Sequence, residues 1–522
     1  VPEKTHQEVT RRQNLRDWLV PIRKTEHASL QAQIREALVT AILDGQIARE
    51  EAIPSTRRMA KQLGVSRNTV VLAYQGLLDD GYLVARERSG YYVSEKALET
   101  SPQFKLPLPK PKLASIRKVA DHSHIWNDRL ALRPSAQENI SKPLDWMNYQ
   151  YPFIYGQVDH KLFPLPEWRD CARQALGKRW FGAWTNDTWA HDDPLLVEQI
   201  RRRILPRRGI MASDSQVLIT LGAQNALYLL VSLLVRKTTV AVMEEPGFPD
   251  MRNLFSLGTD RMWLAPVDEH GLDPSLLPPK PDAVFVTPSH QFPTTVTMPL
   301  ERRMDLLKLA SERDFIIIED DYEFETNYVN EPCPALKSLD DEGRVIYVGS
   351  LSKTFFPGLR LGFLVGPEKV VEEARALRRL MVRHAPNNNQ RTAALFLSLG
   401  HHDMLIRRLH RAYRARWEIM GAALQKHLPN STSIPSFGGT SFWVKGPTWL
   451  DSELLALECA EKSIFIEPGR IYFGSRDQPR NYFRLGFSSI EEKKIEPGIK
   501  LLAEIIGHQQ SRVAPPGRAR PA

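Results

Sequence analysis

Apolar positions recur at helical spacing near the start of the chain and give way to short continuous runs after about residue 144. Ile34, Leu38 and Ile42 fall one turn apart and predict a helix, which Gly45 ends. A second short helix is expected over about Thr56 to Leu63, and Gly64 turns the chain. Ser66 stands where a side-chain oxygen caps a third helix carrying Val70, Tyr74 and Leu77 on one face. "GYLVARERSGYYV" then reads as two strands around a charged, glycine-bearing turn. From Glu95 to about Pro143 the periodicity disappears. "SPQFKLPLPKPKLASIRK" mixes proline with basic residues and predicts a semi-stiff basic linker. Beyond Leu144 the runs "VLITLG", "TVAVMEE", "DAVFVTP", "FIIIEDD" and "RVIYVGS" alternate with helical stretches such as "ERRMDLLKLASER". That alternation predicts an α/β domain, a mostly parallel sheet covered by helices. From about Glu373 long arginine-rich helices come first, and "GGTSFWVKG" and "NYFRLGFSS" read as strands of a smaller α+β lobe. The expected division is 1–94, a linker over 95–143, a large domain over 144–509 and a disordered tail over 510–522.

Composition changes this picture little. A chain of 522 residues exceeds one ordinary core, and 42% apolar content suits a globular protein. A net charge of +9 permits a polyanionic partner without requiring one. Cys171, Cys333 and Cys459 are too scattered for a ligand cluster, so no metal is expected and a reducing compartment is. No apolar run reaches membrane-helix length, and "VPEKTHQEVTRRQNL" lacks the apolar core of a signal peptide. A cytoplasmic location without a membrane partner follows.

"PSTRRMAKQLGVSRNTVVLAY" has helix–turn–helix logic. Ser66, Arg67, Asn68 and Thr69 lead the second of its helices, the position that enters a major groove. Arg67 can pair with guanine edges and Asn68 with adenine. Arg57 and Arg58 open the preceding helix, suited to phosphates. Arg86 and Arg88 lie at the hairpin tip, where a wing would meet the DNA backbone or minor groove.

"GSLSKTFFPGLRLGF" poses a different problem, because Lys353 keeps company with Ser350, Ser352 and Arg360. Pyridoxal phosphate needs an amine for its aldehyde, donors for its phosphate and a carboxylate for its ring nitrogen. Lys353 supplies the amine; Ser350, Ser352 and Arg360 supply donors. "TLGAQNAL" passes from strand to helix near Ala223 and Gln224, so free backbone amides there extend a phosphate cradle. "IIIEDDYEF" brings Asp320, Asp321 and Tyr322 to a strand end, and "EEPGFPD" presents Phe248 for stacking on a flat ring. All sit beyond successive strands, at the edge where open α/β sheets bind ligands.

These stretches resemble a known family. "LQAQIREALVTAILDGQI…IPSTRRMAKQLGVSRNTVVLAYQGLLDDGYLVARERSGYYV" is similar to a GntR-type winged helix–turn–helix, and residues from about Leu144 to Gln509 look like a fold-type I aminotransferase domain. Together they resemble the MocR subfamily of GntR regulators, with "TPSHQFPTTVTM", "IEDDYE" and "SLSKTFFPGLRLGFLV" the most specific stretches. The resemblance implies Lys353 as the internal aldimine lysine, Asp320 at the pyridine nitrogen and Tyr322 near the phenolic oxygen. It implies Ser350, Ser352, Arg360, Ala223 and Gln224 around the phosphate, Phe248 on the ring and Arg484 on an effector carboxylate. Either His290 or Gln291 would face the cofactor. Asp192 and Asp193 replace the glycine often found in the early substrate segment, and Thr295 stands where glycine is frequent.

The expected function is a pyridoxal-phosphate-binding transcriptional regulator that binds operator DNA as a homodimer. It would sense an amine, an amino acid or the cofactor itself through Lys353. RNA polymerase is a further candidate partner. The alternatives are a true aminotransferase carrying an accessory DNA-binding domain, and a DNA-binding protein with a vestigial cofactor domain.

Overall fold

The structure, a computed structural model, describes residues 29–44, 46–47, 52–86, 89–94, 126, 129–329, 333–432 and 438–513. The chain divides into two compact units, Val1–Asn127 and Asp128–Ala522.

In the first unit the apolar spacing becomes three helices, α1 (Leu30–Leu43), α2 (Thr56–Leu63) and α3 (Arg67–Asp79). Ile34, Leu38 and Ile42 from α1 meet Met59 and Ala60 from α2 and Val70, Tyr74 and Leu77 from α3 in one buried cluster. Gly64 ends α2 at φ +64°, a left-handed cap that glycine adopts without a Cβ penalty. Strands β1 (Leu83–Arg86) and β2 (Gly90–Val93) pair antiparallel, with Leu83 and Val93 turned into the core. α1 closes on Asp44; Gly45, the chain start and residues 514–522 lie outside the described residues, while 510–513, expected to belong to a disordered tail, continue the helix Glu492–Val513.

The second unit opens with β3 (Tyr151–Pro152) and then builds an eight-stranded sheet. Its strands are β4 (Val217–Thr220), β5 (Ala241–Glu245), β6 (Met262–Asp268), β7 (Gly271–Leu272), β8 (Ala283–Val286), β9 (Ile316–Asp321), β10 (Val345–Ser350) and β11 (Gly362–Val365). They lie in the order β4-β11-β10-β9-β8-β5-β6-β7. β11 runs antiparallel to both neighbours and β7 runs antiparallel to β6; the other pairings are parallel. Successive side chains face opposite sides of a sheet, so a continuous apolar run signals burial on both. Ile318 and Ile346 join a cluster with helices Ala223–Leu234, Pro249–Gly258 and Glu368–Val382. Ile317 and Val345, one residue away, join a second cluster with helix Leu300–Arg313.

The smaller lobe holds β12 (Ser441–Lys445), β13 (Ile464–Phe465), β14 (Glu467–Pro468) and β15 (Tyr482–Gly486). β12, β15 and β14 form an antiparallel sheet in that order, and β13 pairs with β3. The register sets Glu467 on β14 directly opposite Arg484 on β15. Residues 129–143, read from the sequence as the end of the linker, cluster with the second unit. Gln137 donates to the Asn253 carbonyl (3.0 Å), Asn253 donates to the Glu138 carbonyl (2.9 Å), and Arg470 pairs with Glu138 (3.1 Å).

Candidate cofactor cavity and nucleic-acid interface

A cavity of about 290 Å³ opens at the carboxyl ends of the parallel strands. Ala223, Gln224, Phe248, Asp320, Tyr322, Ser350, Ser352, Lys353 and Arg360 line it, with Arg484 from the small lobe. Neither His290 nor Gln291 does. His290 is buried beside the Thr326 hydroxyl (3.3 Å), and Gln291 donates to the Pro246 and Phe292 carbonyls.

One end of the cavity is built from backbone. Gly222 precedes helix Ala223–Leu234 at φ +84° and gives it no side-chain cap, so the first amides have no intrahelical partner. Arg360 reaches the same turn and donates to the Leu221 carbonyl (2.9 Å). A Cβ on Gly222 would meet that guanidinium at 3.3 Å. Arg360 itself sits at φ +52°, a conformation that costs a non-glycine residue about 1–2 kcal/mol. Ser350 ends β10, and its hydroxyl accepts from the Ser352 amide (3.3 Å). Uncapped amides, two hydroxyls and a guanidinium suit a phosphate.

Alternation along β9 separates the paired aspartates. Asp321 accepts from Arg208 (2.8 Å) and Tyr347 (3.0 Å) and is structural. Asp320 lines the cavity, and its buried Oδ1 has no hydrogen-bond partner among the described residues. Burial, with the Asp321 charge adding to it, pushes the Asp320 carboxyl up to about 8, against the pull of Lys353. A protonated ring nitrogen is the partner such a carboxylate lacks. The residues present therefore fit pyridoxal phosphate.

Lys353 projects from the loop after β10. Its Nζ lies 4.0 Å from the centroid of the Tyr155 ring and 5.8 Å from that of Tyr322. Burial lowers its pKa to about 8, with Lys142 and Arg484 reinforcing the shift and Glu323 opposing it. Gly156 sits at φ +74°, and a Cβ there would come within 2.8 Å of this amine and displace it. Phe248 packs edge-on against Phe292 (5.1 Å), which meets Tyr322 in turn (5.6 Å).

Arg484 is 1% exposed, and two of its donor groups are already engaged. Nε and Nη2 both donate to Glu467 Oε2, at 3.0 and 2.6 Å. Its guanidinium lies 3.8 Å from the Tyr155 ring centroid and 4.5 Å from that of Phe292. Glu467 also accepts from the Tyr472 hydroxyl and the Tyr155 amide. The sequence reading missed Lys142, Tyr155, Gly156 and Glu467. A tyrosine–glycine pair and an isolated lysine carry no periodic signal, and the Glu467–Arg484 pairing exists only through strand register.

The departures from the family pattern are explained locally. Asp192 takes Arg375 (2.8 Å) and Arg378 (2.6 Å). Asp193 caps the next helix by accepting from the Leu195 and Leu196 amides and takes Arg391 (2.7 Å). Thr295 adopts φ +64°, the backbone state that makes glycine frequent there.

In the first unit, Ser66 caps α3 by accepting from the Thr69 amide (3.1 Å), and the two hydroxyls lie 2.7 Å apart. Arg67 and Asn68 are exposed at that helix start, and Thr69 is half-buried. Arg57 and Arg58 are exposed on the first turn of α2. Arg86 is exposed at the hairpin end, its guanidinium 4.5 Å from the Tyr92 ring centroid. Arg88 lies outside the described residues.

Residues 30–93 match the family model for bacterial regulatory proteins of the gntR family, and residues 157–500 match that for aminotransferase class I and II. The chain is 44% identical to the HTH-type transcriptional regulator TauR of Rhodobacter capsulatus, over 92% of this chain and 96% of the relative. It is 31% identical to the probable rhizopine catabolism regulatory protein MocR of Rhizobium meliloti, over 94% of this chain and 96% of the relative. Among solved structures, the kynurenine aminotransferase of Pyrococcus horikoshii matches with a TM-score of 0.67 and 28% identity, over 73% of this chain and 98% of that one. A GntR-type helix–turn–helix followed by an aminotransferase domain, matched end to end by regulators of that build, places this chain in the MocR subfamily of GntR transcriptional regulators.

Proposed function

We propose that this regulator binds pyridoxal phosphate in the cavity at the strand ends and uses it to sense a small amine, an amino acid or the cofactor itself. The observation that carries the reading is the cavity's donor set. One cavity collects a lysine amine, an unpartnered buried carboxylate and a phosphate-shaped cradle. When bound, the cofactor supplies an electrophilic carbonyl that captures amines. Lys353 holds that carbonyl, and its pKa, lowered to about 8, makes the free amine more available near neutrality than in an ordinary lysine. Asp320 holds the ring-nitrogen proton, and Tyr322 faces the phenolic oxygen. Ser350, Ser352, Arg360 and the amides of Ala223 and Gln224 hold the phosphate, while Phe248 covers the ring. Arg484 places positive charge at the effector end.

Arg67, Asn68, Ser66 and Thr69 read base edges of operator DNA, while Arg57, Arg58, Arg86 and Arg88 meet its backbone. Two half-sites require two copies of α3, so the working form is a homodimer, and its place is the cytoplasm with the DNA. RNA polymerase is a candidate contact of that complex. The DNA reader extends to about residue 94, and the sensor takes in residues 129–143 at its start and the helix to Val513 at its end.

The test is an absorbance spectrum of the protein supplemented with pyridoxal phosphate, before and after borohydride, beside Lys353→Ala. A visible band that borohydride bleaches, leaving the added mass on the Lys353 peptide, supports the reading. A spectrum identical to that of Lys353→Ala overturns it. The likeness to aminotransferases keeps turnover as a second reading. Sustained conversion of an amino acid and a keto acid would favour that reading over sensing.

A further inference from the structure

Three cations surround one aromatic ring at the effector end of the cavity. Lys353 Nζ, Arg484 Cζ and Lys142 Nζ lie 4.0, 3.8 and 5.3 Å from the Tyr155 centroid. Lys353 belongs to the cofactor. Arg484 spends two of its donor groups on Glu467, whose carboxyl Arg484 and Lys142 together hold down at about 2 despite its burial. Lys142 lies 3.4 Å from the other oxygen of the same carboxylate and donates to the Tyr155 carbonyl. One carboxylate thus serves two cations, and the cluster of Arg484, Lys142 and Glu467 keeps one positive charge in excess. An ammonium has three donors, and these contacts use two.

Lys142 is also close to the amine that the cofactor requires. A Cβ on Gly156 would meet Lys353 Nζ at 2.8 Å and Lys142 Nζ at 3.7 Å, so the two amines flank one point. The segment carrying Lys142 is held from both sides. Its Gln137 and Glu138 are tied to Asn253 and Arg470, and Ile140 packs against the aromatic cluster of Tyr155, Phe292 and Tyr472.

We infer that Lys142, rather than Arg484 alone, reads the acidic group of the effector, and that the effector is a small amine carrying one such group. The inference rests on the proposed sensing function. Arg484 donates twice to Glu467, whereas Lys142 stands 3.4 Å from that carboxylate, so Lys142 is the less compensated of the two cations and the one with a donor left for an incoming anion. A lysine is a point charge without the planar fork of arginine. The site therefore selects for an acid at short reach from the amine more than for the geometry of a carboxylate. Lys142 lies on the segment that follows the stretch joining the two units, so the residue that recognises the ligand is also near in sequence to the connection with the DNA reader.

The probes are glycine, β-alanine and 4-aminobutanoate, each beside its own amide, titrated into the cofactor-loaded protein and followed by the cofactor's absorbance. The wild type is expected to bind at least one acid tenfold or more tighter than its amide. In Lys142→Gln that ratio falls to within about twofold of one, and Lys142→Arg, which keeps the charge, retains most of it. A ratio that survives in Lys142→Gln, or is lost equally in Lys142→Arg, overturns the role of Lys142 and leaves the sensing reading intact. Amides bound as tightly as acids by the wild type overturn the acidic effector. Absence of any response to all six probes, in protein whose cofactor band is also missing, overturns the sensing reading and this inference together.

Discussion

Asp320 and Lys353 set the behaviour of the cavity through opposite consequences of the same burial. An ordinary aspartate titrates near 4, and Asp320 is held up to about 8. Between those values the folded protein keeps a proton that the unfolded chain has released. Stability therefore falls as pH rises through this window, by at most about 1.4 kcal/mol per pH unit, and the cost is complete above about 8. Lys353, lowered to about 8, carries its full burial cost throughout the same window and adds no slope. In cofactor-free protein, Asp320→Asn is expected to raise the melting temperature over wild type by more at pH 8 than at pH 5. An equal gain at both pH values, measured by thermal denaturation, would contradict the shift. That Lys353, Asp320, Ser350, Ser352 and Arg360 belong together was legible in the sequence, because their types match a cofactor's groups, and they line one cavity. Asp320 rather than Asp321 was what the family resemblance implied, and the alternation of β9 sends the two side chains to opposite faces. Glu467 was not legible, since nothing local marks a glutamate as the partner of an arginine 17 positions away.

At the scale of elements, the cavity depends on how closely two backbones approach. Gly362 opens β11, and a Cβ there would lie 2.7 Å from the carbonyl carbon of Gly222, at the turn that starts helix Ala223–Leu234. Backbone cannot yield as a side chain does. Gly362→Ala is expected to cost about 1–3 kcal/mol as overpacking and to weaken cofactor binding, because the displaced turn carries the phosphate-facing amides. Denaturant unfolding and a cofactor titration measure the two effects, and an unchanged affinity would detach the turn from the phosphate. The five predicted runs of the large domain became β4, β5, β8, β9 and β10. β6 and β11 were not singled out. β6 does hold an apolar run, Met262 to Val267, but Pro266 interrupts it as a strand signal and only Ala265 within it is buried, and β11 directly follows the Lys353 loop.

For the whole molecule, the two modules make separable demands. Arg67 is proposed to read DNA, and an arginine paired with a base edge is worth about 1–3 kcal/mol. Arg67→Ala should therefore weaken binding to DNA selected by the wild type by roughly tenfold while leaving the cofactor band intact. Lys353→Ala should remove the band and leave basal DNA binding measurable. Anisotropy on labelled DNA beside the absorbance spectrum reads both, and loss of both properties in either variant would show that the modules are not independent. Helix periodicity, caps and turn glycines are local, so the sequence by itself determined the winged unit nearly residue by residue. It also determined the strand–helix alternation and pointed to the amine, carboxylate and phosphate-binding candidates proposed above, because these follow from neighbouring residues. Only the tertiary structure decided that residues 129–143 pack with the large unit and bring Lys142 to the cavity, and that β14 meets β15 in the register that sets Glu467 on Arg484. Those placements join residues hundreds of positions apart, or across a sheet, through packing and strand pairing, which no local pattern encodes.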